Sequence, residues 1–130
     1  MDIKRTGHIL YVRKYKECIL FYSTVLKLDI LFQNKELTCF DFFGTYLMIE
    51  KEDRADYLNL GGGVKKAFSC IRMHVINVKE IVLDLSAEKI PVEYQEHSWG
   101  VVAKFFDPDG NLLAFKDEET FAKQIKEYIK

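Results

Sequence analysis

The sequence of 130 residues lacks most of the features that give a function away directly. Its three cysteines, Cys18, Cys39 and Cys70, form no Cys-x-x-Cys pair and are odd in number. That pattern excludes a disulfide framework and fits reduced thiols buried in apolar runs. There is no charge imbalance either: 19 lysines and arginines against 20 acids leave a formal net charge of −1. With the cations scattered among the acids there is no electrostatic footprint for nucleic acid. No apolar run is long enough to span a membrane, and Met1 to His8 does not resemble a signal-peptide core, so no membrane partner and a cytoplasmic location are expected. The glycines fit neither phosphate-cradling pattern, G-x-x-x-x-G-K-[ST] or G-x-G-x-x-G. Only one tryptophan is present, Trp99.

What is present is apolar and aromatic material, 48% hydrophobic with 10 phenylalanines and 7 tyrosines. This is enough for one compact domain with strands and an aromatic-lined interior. Gly7 to Arg13 reads as a short strand. Tyr15, Cys18, Ile19, Tyr22 and Leu26 then fall at helical spacing. Strands follow over Ile30 to Phe32, Leu37 to Phe43 and Tyr46 to Lys51, with turns at Gln33 to Glu36 and at Gly44-Thr45. Glu52 to Lys66 is polar and ends near Gly61-Gly62-Gly63, a linker composition.

Beyond it the pattern restarts. Cys70 to Ile76 is a strand, and Val78, Ile81, Val82 and Leu85 repeat the helical spacing of Tyr15, Cys18, Ile19 and Tyr22 at an offset of 63. Leu28 to Gln33 aligns with Ile90 to Gln95, Phe42-Phe43 with Phe105-Phe106, and Tyr46 to Ile49 with the strand ending at Phe115, where the offset becomes 66. The chain is therefore an internal repeat. Unit 1 covers about 5–52, a linker about 53–67, unit 2 about 68–118 and a C-terminal helix about 119–130, the last expected to pack on the outside through Phe121, Ala122, Ile125 and Ile129. The second repeat holds the best-specified turn of the chain, Asp107-Pro108-Asp109-Gly110: Asp107 can bond to its own backbone two residues on, Pro108 fixes a φ, and Gly110 accepts a left-handed conformation.

Ile9-Leu10-Tyr11-Val12 followed by Cys18 to Tyr22, and the hairpin Phe105-Phe106-Asp107-Pro108-Asp109-Gly110-Asn111-Leu112, resemble the vicinal oxygen chelate superfamily of glyoxalases, bleomycin resistance proteins and extradiol dioxygenases. The resemblance implies an α+β fold, two tandem βαβββ units forming an open curled mixed sheet of half-barrels with helices outside and a ligand in the concave face. A homodimer is the expected assembly. Alternation along the strands puts Leu10 and Val12 under the helix with His8, and Ile9 and Tyr11 toward the cavity with Gly7. In the second unit it puts Cys70, Arg72 and His74 in the cavity. Asp41 and Lys104, taken as repeat mates, face it too, together with Lys116.

Metal-dependent members place ligands at positions that correspond here to Gly7, Met48, Cys70 and Ala114. Three of these cannot ligate a hard divalent ion, and a lone thiolate prefers softer company. The expectation is a protein without a cofactor that binds a small molecule through Tyr11, Asp41, Met48, Glu50, Arg72, His74, Trp99 and Lys104, sequestering a planar or anionic ligand against the Trp99 indole. The alternative is a lyase, isomerase or dioxygenase with one divalent metal ion in a non-standard site of His8, Glu50 and His74, or a metal-free enzyme with His74 as acid or base and Tyr11 or Arg72 stabilising an oxyanion.

Overall fold

The computed structural model describes residues 1–58 and 66–128. It divides into two compact units, Met1–Val64 with Pro108–Gly110, and Lys65–Asp107 with Asn111–Lys130. Each holds one open four-stranded mixed sheet with its helices outside.

In the first unit the strands β1 (Gly7–Val12), β2 (Ile30–Gln33), β3 (Leu37–Phe42) and β4 (Thr45–Lys51) lie in the order β1-β4-β3-β2, with β1 parallel to β4 and the rest antiparallel. The helical spacing at Tyr15 becomes α1 (Tyr15–Leu20), which continues as a wider π-type turn over Phe21–Val25. Leu26 N–H bonds to the carbonyl of Phe21, five residues back, and Lys27 then turns left-handed at φ +56° and ends the helix. Cys18, Phe21 and Tyr22 drive this segment onto Phe40, Leu47, Ile49 and Val12, all buried. A short helix α2 (Ala55–Leu58) forms within the stretch read as linker. The three consecutive glycines of that stretch lie outside the described residues.

The second unit repeats the plan with β5 (Lys66–Val75), α3 (Val78–Ala87), β6 (Glu93–His97), β7 (Gly100–Phe106) and β8 (Asn111–Asp117), in the order β5-β8-β7-β6. Asn77 caps α3 by accepting from the Glu80 N–H, the role expected of a short amide side chain at that position. Val78 and Leu85 seat the helix against β7 and β8, where Phe105 and Phe115 stack with ring centroids 5.5 Å apart. The terminal helix α4 (Glu118–Tyr128) follows β8 directly.

The registers test the repeat residue by residue. Gly7 pairs with Tyr46 and Ile9 with Met48, while Cys70 pairs with Leu112 and Arg72 with Ala114, so the offsets of 63 and 66 hold on the outer and last strands. The third strands differ from the sequence alignment. Thr38 opposite Ile49 corresponds to Ala103 opposite Phe115, an offset of 65. Asp41 is therefore equivalent to Phe106, and Lys104 to Cys39; the two charges are not repeat mates. The alternation of each strand is unaffected, because a slip of two residues preserves it.

The Asp107 to Gly110 turn forms with Gly110 at φ +88°. Asp107 accepts from both the backbone and side-chain N–H of Asn111, four residues on.

Candidate functional site

Strand alternation and cross-strand pairing define the concave face of each sheet. In the first unit that face carries Gly7, Ile9 and Tyr11 from β1, Tyr46, Met48 and Glu50 from β4, and Leu37, Cys39 and Asp41 from β3. His8 alternates to the other side, opposite Leu47, and is exposed. Tyr11 does not present a bare ring to a ligand. The Arg54 guanidinium lies 4.5 Å from its centroid and 4.2 Å from that of Tyr57. Glu52 fixes Arg54 through two side-chain hydrogen bonds of 2.7 and 2.9 Å. That bond is the largest influence holding the Arg54 proton, and it raises an already high pKa further. Met48 and Glu50 are half-buried and Asp41 is exposed.

In the second unit the concave face reads as rungs across four strands. One rung runs Glu93, Lys104, Ala114, Arg72 and the next Gln95, Val102, Lys116, His74. Trp99 sits in the turn before β7 with its indole stacked on the His97 imidazole, centroids 4.5 Å apart and planes 8° from parallel. Arg72 lies 5.9 Å and Lys116 5.3 Å from the indole centroid. Cys70 opens the face and is exposed, which corrects the expectation of three buried thiols; Cys18 and Cys39 are buried. Desolvation raises the Cys70 thiol pKa, opposed by the charges of Arg72 and Lys104, which places both cations within its electrostatic reach.

Two of the groups assigned to this face have structural partners. Lys116 is 1% exposed and donates to Thr120 Oγ1 at 2.8 Å and to the Trp99 carbonyl at 3.3 Å, beside Asp117 at 3.5 Å. It anchors α4 and is not a ligand-facing charge. His74 Nδ1 lies 2.9 Å from Glu118 Oε1, and the Phe121 ring packs edge-on against the imidazole. The terminal helix thus sets side chains against a face that the sequence reading had left to the ligand. Nothing in local spacing signals this, because the contacts depend on where the helix lies after β8.

The positions that the resemblance assigns to metal ligands do not fit a divalent ion. Met48 and Ala114 supply no hard donor, and Cys70 stands among cations rather than among other ligands. Gly7 is excluded by packing as well as by chemistry: a Cβ there would fall inside the Tyr46 ring, 2.0 Å from the nearest carbon. The non-standard set is not assembled either. His8 and Glu50 alternate to opposite faces of their sheet, His74 is engaged by Glu118, and among the described residues no group of three or more His, Cys, Asp or Glu side chains could hold an ion. A separate open cleft of about 700 Å³ in the first unit is bordered by Val12, Tyr15, Asn34 and Lys51, and none of the sequence-predicted site residues lines it.

No protein-family model and no curated protein sequence matches the chain. Solved structures match nearly its whole length. It is similar to the trypanothione-dependent glyoxalase I of Leishmania major, with a TM-score of 0.76 at 20% identity over 97% of this chain and 94% of that one. The fosfomycin resistance protein FosX of Listeria monocytogenes gives a TM-score of 0.73 at 14% identity, covering 95% and 99%. A bleomycin resistance determinant encoded on the transposon Tn5 gives 0.67 at 16%, covering 90% and 99%. Likeness at this level of identity establishes the fold.

Proposed function

We propose that this chain, which has the vicinal oxygen chelate fold, is a metal-independent small-molecule-binding protein. The observation that carries the reading is the chemistry of the four ligand positions, above all the tyrosine ring packed where a first-strand ligand would have to stand. Metal-assisted lyase or dioxygenase chemistry needs an open site with three or four anchored donors, and the four positions concerned carry glycine, methionine, cysteine and alanine instead. Similarity to both antibiotic resistance proteins and a glyoxalase is compatible with binding as well as with catalysis, since one fold serves both.

Elemental analysis of protein incubated with Ni²⁺, Mn²⁺, Fe²⁺ and Zn²⁺ and then desalted tests the reading. The expected result is well below one equivalent of any metal, unchanged in His74→Ala. One equivalent that is lost in the variant would move the assignment to a metal-assisted enzyme.

The protein acts as a homodimer in this reading. Support comes from β2, an edge strand whose Ile30, Leu31 and Phe32 are all exposed, whereas the equivalent edge strand β6 carries Glu93, Gln95, Glu96 and His97. An open apolar edge invites a second strand, and charges deter one. Sedimentation equilibrium is expected to give twice the chain mass for the wild type and the chain mass for Leu31→Lys. A monomeric wild type at micromolar concentration would reject the dimer. Cys18, Cys39 and Cys70 form no disulfide, which suits a reducing cytoplasm, and no helix among the described residues is long and apolar enough to cross a membrane.

A further inference from the structure

Arg72 on β5 and Lys104 on β7 flank the same residue of β8, Ala114. Adjacent strands lie about 4.8 Å apart, so the two cations rise from backbone positions roughly 10 Å apart with only a methyl group between them. Their surroundings set them apart from the other cations described above. Arg54 is held by Glu52, Lys116 by Asp117 and Thr120, and Arg13 lies against Asp109. Among the described residues Arg72 and Lys104 make no ion pair, and the acid opposite Lys104, Glu93, accepts from Gln95 instead.

The repeat shows that the fold does not require these charges. The equivalent rung of the first unit is Ile9, Met48 and Cys39, without a charge in it. Two cations on one rung, neither of them in an ion pair among the described residues, repel one another. They are kept at a cost that a bound anion would reverse. One side of the rung is bounded by Trp99, a residue 41% exposed whose ring lies 5.9 Å from the Arg72 guanidinium.

We propose that the rung formed by Arg72, Ala114 and Lys104 is an oxyanion subsite that receives the carboxylate of a flat aromatic acid, with the aromatic ring directed toward Trp99. This rests on the small-molecule-binding reading above and specifies its ligand class. Arginine supplies a planar fork matched to a carboxylate and lysine a second charge from the opposite side, while Ala114, itself buried, adds neither charge nor bulk to the rung.

Because Trp99 is the only tryptophan, its indole N–H gives one cross-peak in a ¹H–¹⁵N spectrum. Titration of the full chain in EDTA-containing buffer with 1-naphthoate, and with the uncharged 1-naphthamide, is followed by that peak and by calorimetry. The expected result is a moving indole peak and at least tenfold tighter binding of the acid than of the amide, with Arg72→Ala and Lys104→Ala each weakening the acid about tenfold and leaving the amide unchanged. Ala114→Glu, which places an acid between the two cations, is expected to abolish binding of the acid. Arg72 and Lys104 are not core residues, so their variants decide the matter if the substitution at buried Ala114 prevents folding. Equal affinity for acid and amide, or indifference to both alanine variants, would overturn the subsite while leaving small-molecule binding in place. Failure of both probes to bind would overturn it as well. Binding of the acid that appears only after a divalent metal is restored would instead overturn the metal-independent reading.

Discussion

Replacing Asp117 with alanine is expected to lower the free energy of unfolding by about 3–5 kcal/mol, because it strips the counter-charge from a buried lysine. Asp117 closes β8 and opens α4. One oxygen accepts from the Val101 N–H at 2.8 Å and lies 3.5 Å from Lys116 Nζ; the other accepts from the Thr120 N–H at 2.9 Å, a helix cap. Alanine removes all of these together and leaves the ammonium of Lys116 enclosed with only neutral acceptors. Gly100 shows how tightly the cluster is built. It sits at φ +137°, and a Cβ there would come within 2.4 Å of both Lys116 Nζ and Thr120 Oγ1.

The same cluster predicts a pH dependence. Burial by itself would raise the Asp117 pKa, but the Thr120 side chain, the two backbone N–H groups and Lys116 outweigh it and hold the carboxyl well below the usual range. A depressed folded pKa contributes stability that is whole above the unfolded value, near 4, and is lost as the pH falls toward the folded one. Urea unfolding should therefore show the wild-type advantage over Asp117→Ala intact at pH 7 and shrinking below pH 4. A difference under about 1 kcal/mol at pH 7, where even a simple cap is worth that much, would refute the argument.

Asp109→Ala is expected to cost about 2–3 kcal/mol. The side chain of Asp109 is fully buried, and its Oδ1 accepts from the backbone N–H groups of Arg13 and Lys14 at 3.0 and 2.8 Å, immediately before α1 begins. The other oxygen lies 3.9 Å from Arg13 Nε, so the carboxylate also balances a guanidinium that is mostly withdrawn from water. Removing it leaves two donors and a cation to be solvated in a place with little room for water. Asp109→Asn keeps the acceptor and loses the charge, and should fall between the wild type and alanine in a chemical denaturation series. An asparagine variant less stable than alanine would show that the carboxylate acts by some route other than accepting those two bonds.

The sequence by itself determined the elements, the repeat and the faces. Leu10 and Val12 against Ile9 and Tyr11, or Ile71 and Met73 against Cys70 and Arg72, sort themselves because the side-chain period of a strand is two. That is a local property which survives even the misplaced offset at Asp41 and Lys104. The turn at Asp107 to Gly110 was legible for the same reason: its partner is a few residues away.

What only the tertiary structure decided was the fate of each side chain once its face was known. Arg72, His74, Lys104 and Lys116 all belong to one concave face, yet α4 takes Lys116 and His74 for its own attachment and leaves Arg72 and Lys104 without an ion pair among the described residues. Tyr46 lies across Gly7, and Arg54 lies over Tyr11, through contacts between segments some 40 residues apart. Pairing a charge or filling a gap depends on which distant segment arrives there, and no local period of the chain carries that information.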